Sequence, residues 1–99
     1  VGAVYYDFRS STDTPQTKVD AWFTSSRDGG AHFGNEQHLG GPYDLAAAPI
    51  VSVFNVSSPY IGSYQGLTTV GSLFQAAFVG VNSNSTSNPT DILTVPISP

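Results

Sequence analysis

Asp7 and Arg9 stand two positions apart in the alternating stretch Val4-Tyr5-Tyr6-Asp7-Phe8-Arg9, so on an extended backbone their side chains share one face. A carboxylate and a guanidinium placed this way can grip a sugar between them, or can bond each other as a structural pair. Tyr64 and Gln65 form a second candidate pair. As neighbours on a strand they point to opposite faces, so at most one lines any given pocket. Tyr64 can stack on or hydrogen-bond a sugar, or can pack as a half-buried strand tyrosine. Trp22 has the same two uses, platform or core. Glu36, the sole glutamate, reads as a solvated strand residue. His32 and His38 are six apart around a turn and lack a third ligand, so no metal site is expected. The sequence has no phosphate-cradling glycine loop, serine-hydrolase elbow or paired cysteines. No catalytic residue and no cofactor are assigned, and the ligand-binding candidates are Asp7, Arg9, Tyr64 and Gln65.

These side chains need strands to hold them. Residues 1–8 are rich in β-formers and carry no helical spacing. A polar connector over 10–17 leads to the alternating run Lys18-Val19-Asp20-Ala21-Trp22-Phe23-Thr24, a strand with one wet and one dry face. It ends in Ser25-Ser26-Arg27-Asp28-Gly29-Gly30-Ala31-His32-Phe33. There two glycines supply the positive φ of a tight reversal, and Ser26 and Asp28 can bond the freed backbone N–H groups. Phe33 is expected to fold back beneath the turn as an apolar plug. A third strand over 32–39 should stop at Gly40-Gly41-Pro42.

Residues 43–59 read as a long connection with one extended piece near 50–54, its alanines too few and too close to Pro49 to form a helix. Further strands are expected at 60–67, at 73–81 and at 91–97. The second of these is nearly all apolar and so interior; Pro96 marks the third as an edge. The fold class is all-β. An apolar strand, a polar connector and an Asp opening the next strand occur twice, at 1–22 and again at 74–93.

Composition narrows the function classes. The chain has 99 residues, enough for one ordinary domain, and a net charge of −4 with only 3 Lys and Arg. Nucleic acid would need clustered basic residues, and a membrane surface a polybasic or amphipathic segment. Neither is present, and no apolar run reaches the length of a bilayer-spanning helix. The absence of cysteine excludes a disulfide framework. Asn55-Val56-Ser57 and Asn84-Ser85-Thr86 are N-glycosylation acceptor patterns in expected loops, whereas Asn88-Pro89-Thr90 is disqualified by its proline. With the low lysine content they point to a secreted protein. The sequence opens inside an apolar run, as a processed chain or a piece of a longer one would.

The spacing Ser26-x-Asp28-x-Gly30-x-x-Phe33 resembles the Asp-box of sialidase-like (BNR-repeat) β-propellers. Tyr5-Tyr6-Asp7-Phe8-Arg9 resembles the Tyr-Tyr-Asp-x-Arg stretch that precedes that motif in the family. Gly62-Ser63-Tyr64-Gln65-Gly66-Leu67 resembles a Gly-Asp-Tyr-Gln-Gly-Leu stretch that follows it, with Ser63 in place of the aspartate. The resemblance implies an incomplete propeller of about one and a half antiparallel blades. Residues 1–41 would be strands two to four of one blade, 42–59 a connector, and 60–99 strands one to three of the next. It implies a structural role for Ser26, Asp28, Gly30 and Phe33, on the face away from ligand.

Sialidase chemistry needs an arginine cluster, a proton-donating acid and a tyrosine activated by glutamate. With two arginines, one of them Arg27 inside the Asp-box, the chain holds no complete set. Three functions remain open: part of a secreted glycan-acting propeller, a non-catalytic lectin-like module, or a self-assembling extracellular structural protein. Carbohydrate, further blades or other copies meeting open strand edges are the partners these imply.

Overall fold

The computed structural model describes residues 1–62 and 65–99, and apart from one short 3-10 turn their regular structure is all antiparallel strand. β1 (Gly2–Asp7), β2 (Lys18–Ser25) and β3 (Gly34–Asp44) make one meander in that order. β4 (Ile50–Val53) and β5 (Val56–Pro59) make a separate two-stranded hairpin. β6 (Gly66–Val70), β7 (Leu73–Val81) and β8 (Thr90–Ile97) make a second meander.

The core lies between the two meanders. β2 turns Val19, Ala21 and Phe23 inward, and β7 answers with Ala76 and Phe78. Ile97 joins them from the end of β8. Small and large residues alternate on both strands, so Phe23 and Phe78 find room beside the alanines. Burying each of these rings contributes about 1.5–3 kcal/mol relative to exposure. Phe23 also meets Phe74 with ring centroids 5.2 Å apart in a tilted arrangement. The Tyr43 ring lies over Gly80, where an added Cβ would come within 2.9 Å of that ring and of Leu93. Glycine here is a condition of close packing.

Polar bridges tie the meanders together. The Tyr6 hydroxyl donates to the Val79 carbonyl at 2.8 Å and accepts from the Val79 N–H at 2.9 Å. Val79 lies past the last pairing of β6, Gly66 with Ala77, so the tyrosine satisfies backbone groups at the place where the neighbouring strand has run out. Gln37 donates to the Ser98 carbonyl at 2.8 Å.

The first meander, β7 and the edge position of Pro96 in β8 agree with the sequence pattern. Four features differ from it. β3 does not stop at Gly40-Gly41-Pro42 but continues to Asp44. Gly41 adopts φ 106°, and the register between Val19 and Ala21 absorbs an extra β3 residue, so the strand bulges and resumes. Gly41 and Pro42 are joined by a cis peptide. Within the expected connector, Leu45–Ala47 forms a 3-10 turn capped by Asp44, whose carboxylate accepts from Ala46 N at 2.9 Å, while Leu45 N donates to the Thr17 carbonyl at 2.9 Å. The same connector holds the β4–β5 hairpin, turned by Phe54 and Asn55 at positive φ. Finally, the strand expected over 60–67 begins only at Gly66 among the described residues.

Candidate functional site

The face of β1–β2–β3 turned away from the core gathers most of the polar chemistry. Tyr5, Trp22 and His38 are opposed in register across the three strands, and Asp7 faces Asp20 in the next row. Alternation sends this set outward for the reason it sends Ala21 and Phe23 inward. Glu36 lies two before His38, beside a register irregularity that follows Gly34, and a bulge there aims it back across the sheet.

Arg9, just past β1, organises this face. Its Nε donates to Asp7 Oδ2 at 2.5 Å, while Nη1 and Nη2 fork onto Glu36 Oε2 and Oε1 at 2.9 and 3.1 Å. Nη2 also reaches the Tyr5 hydroxyl at 3.3 Å. The guanidinium carbon lies 4.2 Å from the centroid of Trp22, a cation–π contact. Donation from Arg9 and then from Tyr5 holds the Glu36 carboxyl down to about 2, against an ordinary 4.5. The same bonds, from Glu36 and then Asp7, push Arg9 further up.

Tyr5 donates to Glu36 through a short hydrogen bond. This is a tyrosine–glutamate pair, but it is not poised for nucleophilic chemistry. Burial, then the bond to Glu36, raises the tyrosine above its usual 10.0, and a carboxylate held near 2 is a weak base. The proton stays on the phenol.

Behind this layer, Asp20 is 1% exposed and its Oδ1 lies 2.7 Å from His38 Nε2, in hydrogen-bond contact. His38 meets Trp22 edge-on with centroids 4.9 Å apart. Asp20 lies across from the bulge, where Gly41 and Pro42 stand between the partners of Val19 and Ala21, and a Cβ on Gly41 would come within 3.0 Å of its Oδ1. Its Oδ2 and the Trp22 Nε1 have no hydrogen-bond partner. Among the described residues no three His, Cys, Asp or Glu side chains stand close enough to hold a metal ion.

The Asp28 turn is closed on itself. Ser26 Oγ donates to Asp28 Oδ1 at 2.7 Å and accepts from Gly30 N at 2.9 Å; Asp28 Oδ1 also accepts from His32 N at 2.9 Å. Gly29 and Gly30 take φ of 73° and 96°. The Ser26 hydroxyl, followed by the His32 amide, holds Asp28 at about 2. Phe33 departs from the expected plug: it is 49% exposed and lines an open depression of about 350 Å³ with Ser25, His32 and Asn35. Satisfied backbone donors, and not a buried ring, hold this reversal.

Asp7 and Arg9 are thus together, in contact with each other and with Glu36. Gln65 is elsewhere. It hydrogen-bonds the Tyr6 hydroxyl, on the opposite face of β1, and lines a shallow cavity of about 280 Å³ with Phe78 and Ile92. Tyr64 lies outside the described residues. Asn55 and Asn84 are exposed. Sequence reasoning missed Tyr5, Glu36, Asp20 and His38 as members of one face; the two-residue spacing of Glu36 and His38 was the available signal. Comparison with protein-family models, with curated proteins and with solved structures returned no match.

Proposed function

We propose that this chain supplies parts of two adjacent blades of a sialidase-like β-propeller, about one and a half in all, in a secreted protein that binds or acts on glycans, and that it carries no complete catalytic set itself. The observation that carries this reading is the Ser26–Asp28–Gly30–His32 hydrogen-bond network between two paired strands, the arrangement an Asp-box requires. Two three-stranded meanders sharing one core, with the β4–β5 hairpin between them in the chain, support it. Asn55 and Asn84, both at exposed turns, are reachable by a glycosylating enzyme.

The glycan-facing surface in this proposal is the Arg9 face. A sugar carboxylate takes the place of Glu36 on the guanidinium fork, and Asp7 receives hydroxyl donors. Because Arg9 lies over Trp22, the sole tryptophan, any such exchange alters indole fluorescence. Titrating the chain with carboxylated and neutral saccharides tests this. Saturable change with the carboxylated sugars, lost in Arg9→Ala, is the expected result; no response to any saccharide removes the glycan assignment.

A further inference from the structure

The β4–β5 hairpin is made against the ordinary economy of a folded chain. Phe54 is 95% exposed at its tip, and it sits there at φ 50°, a backbone region that bulky residues seldom occupy. Exposure and unfavourable backbone fall on the same aromatic residue, which makes it a candidate for a role outside the fold. One face of the hairpin is nearly all apolar. Val51, Val53, Val56 and Tyr60, with Ser58, line a half-open cavity of about 340 Å³. Ile50 lies on the other face, where Ser52 and Ser57 bond each other.

We infer that the hairpin is a docking arm for a second copy of this chain, with Phe54 of each copy seated in the valine-lined cavity of the other. Three observations select this occupant. The first is area. The chain exposes 6239 Å², whereas a folded monomer of 10.4 kDa exposes about 5,400 Å². The excess, summed over the whole chain, is large enough to supply the roughly 800 Å² that each partner contributes to a standard interface. The radius of gyration, 14.9 Å, exceeds the roughly 12.6 Å of a compact chain of this length in the same sense.

The second is charge. From Leu45 to Thr90 the sequence has no Asp, Glu, Lys, Arg or His, so the arm offers nothing to a charged partner. The net charge of −4 sits outside that segment, and arm-to-arm contact brings no charged side chain of the two hairpins together. The third is shape. Knob and cavity lie on one element, so a two-fold axis inserts both at once and closes the assembly without propagating it.

Asn55 adjoins Phe54, and a glycan there would block the contact. The inference therefore requires Asn55 to remain unmodified in the dimer and leaves Asn84 as the acceptor of the two. It does not depend on the glycan reading.

Sedimentation of the 99-residue chain from about 100 µM down through the nanomolar range tests it, because interfaces of this size span micromolar to picomolar affinity. A concentration-dependent mass rising to twice 10.4 kDa is expected. Phe54→Asn, which removes the ring and suits positive φ, should keep the fold and weaken the dimer at least about 30-fold. Ile50→Ser, on the opposite face, should change it less than about threefold. A monomer throughout, as when another partner covers the arm, overturns the inference. So does a dimer indifferent to Phe54→Asn, or one equally disrupted by Ile50→Ser. Full glycan occupancy at Asn55 of the secreted protein, read by mass spectrometry, overturns it as well.

Discussion

Tyr6→Phe removes one oxygen atom and tests how the two meanders are joined. Besides its bond with Gln65, the hydroxyl makes two hydrogen bonds to one residue, as donor to the Val79 carbonyl and as acceptor from its N–H, at 2.8 and 2.9 Å. Each such bond contributes about 0.5–1.5 kcal/mol net. Val79 is only partly buried, so water recovers some of the loss. The expected destabilisation is about 1–2 kcal/mol, against a total of roughly 5–15 kcal/mol for a domain of this size. Urea unfolding followed by circular dichroism reads the change, and the melting temperature should fall by roughly 5–15 °C. Packing is retained in phenylalanine, so the effect is the hydroxyl's. Amide exchange adds a residue-specific reading, because the Val79 N–H loses its acceptor and should exchange faster. A destabilisation under about 0.5 kcal/mol with unchanged Val79 exchange would refute the reasoning, since net hydrogen-bond contributions that small leave nothing for the bridge.

Gly80→Ala places a methyl within 2.9 Å of Tyr43 and Leu93 and should cost roughly 1–3 kcal/mol by overpacking, measured by the same unfolding curve. Phe33→Ala should cost only about 1 kcal/mol or less, because half of the ring is already in water, and a loss of several kcal/mol would show that the ring is buried after all. Asp28 and Glu36 have folded-state values depressed to about 2 from 3.8 and 4.5. Their stabilising bonds are therefore fully present above about pH 4.5 and fade as pH falls through about 2, and carboxyl NMR titrations should give midpoints near 2. In Arg9→Ala the Glu36 midpoint should move up towards 4.5, while that of Asp28, held by Ser26 and His32, should stay.

Local pattern was enough for much of the fold. Alternation in β2, broken in burial only by Asp20, and the apolar run of β7 identify both central strands, since a period of two sorts residues between the two faces of a strand. The turn at Asp28 was legible because its hydrogen bonds span four residues at most. The hairpin at 50–59 was not. Its turn uses Phe54-Asn55 where glycine would announce the reversal, and its strands bury nothing that would impose a clean pattern. Nor was the end of β3, because Gly-Gly-Pro carries the same composition whether it stops a strand or bulges it.

The candidate site divides the same way. That Asp7 and Arg9 share a face follows from their spacing alone. That Glu36, twenty-seven positions on, completes the guanidinium fork, and that Asp20 is buried against His38, depends on where β3 slips against β2. Such slips are chosen by packing across the whole meander, and each one-residue shift exchanges the two faces beyond it. Spacing determined which side chains could face outward together; only the paired strands decided which of them touch.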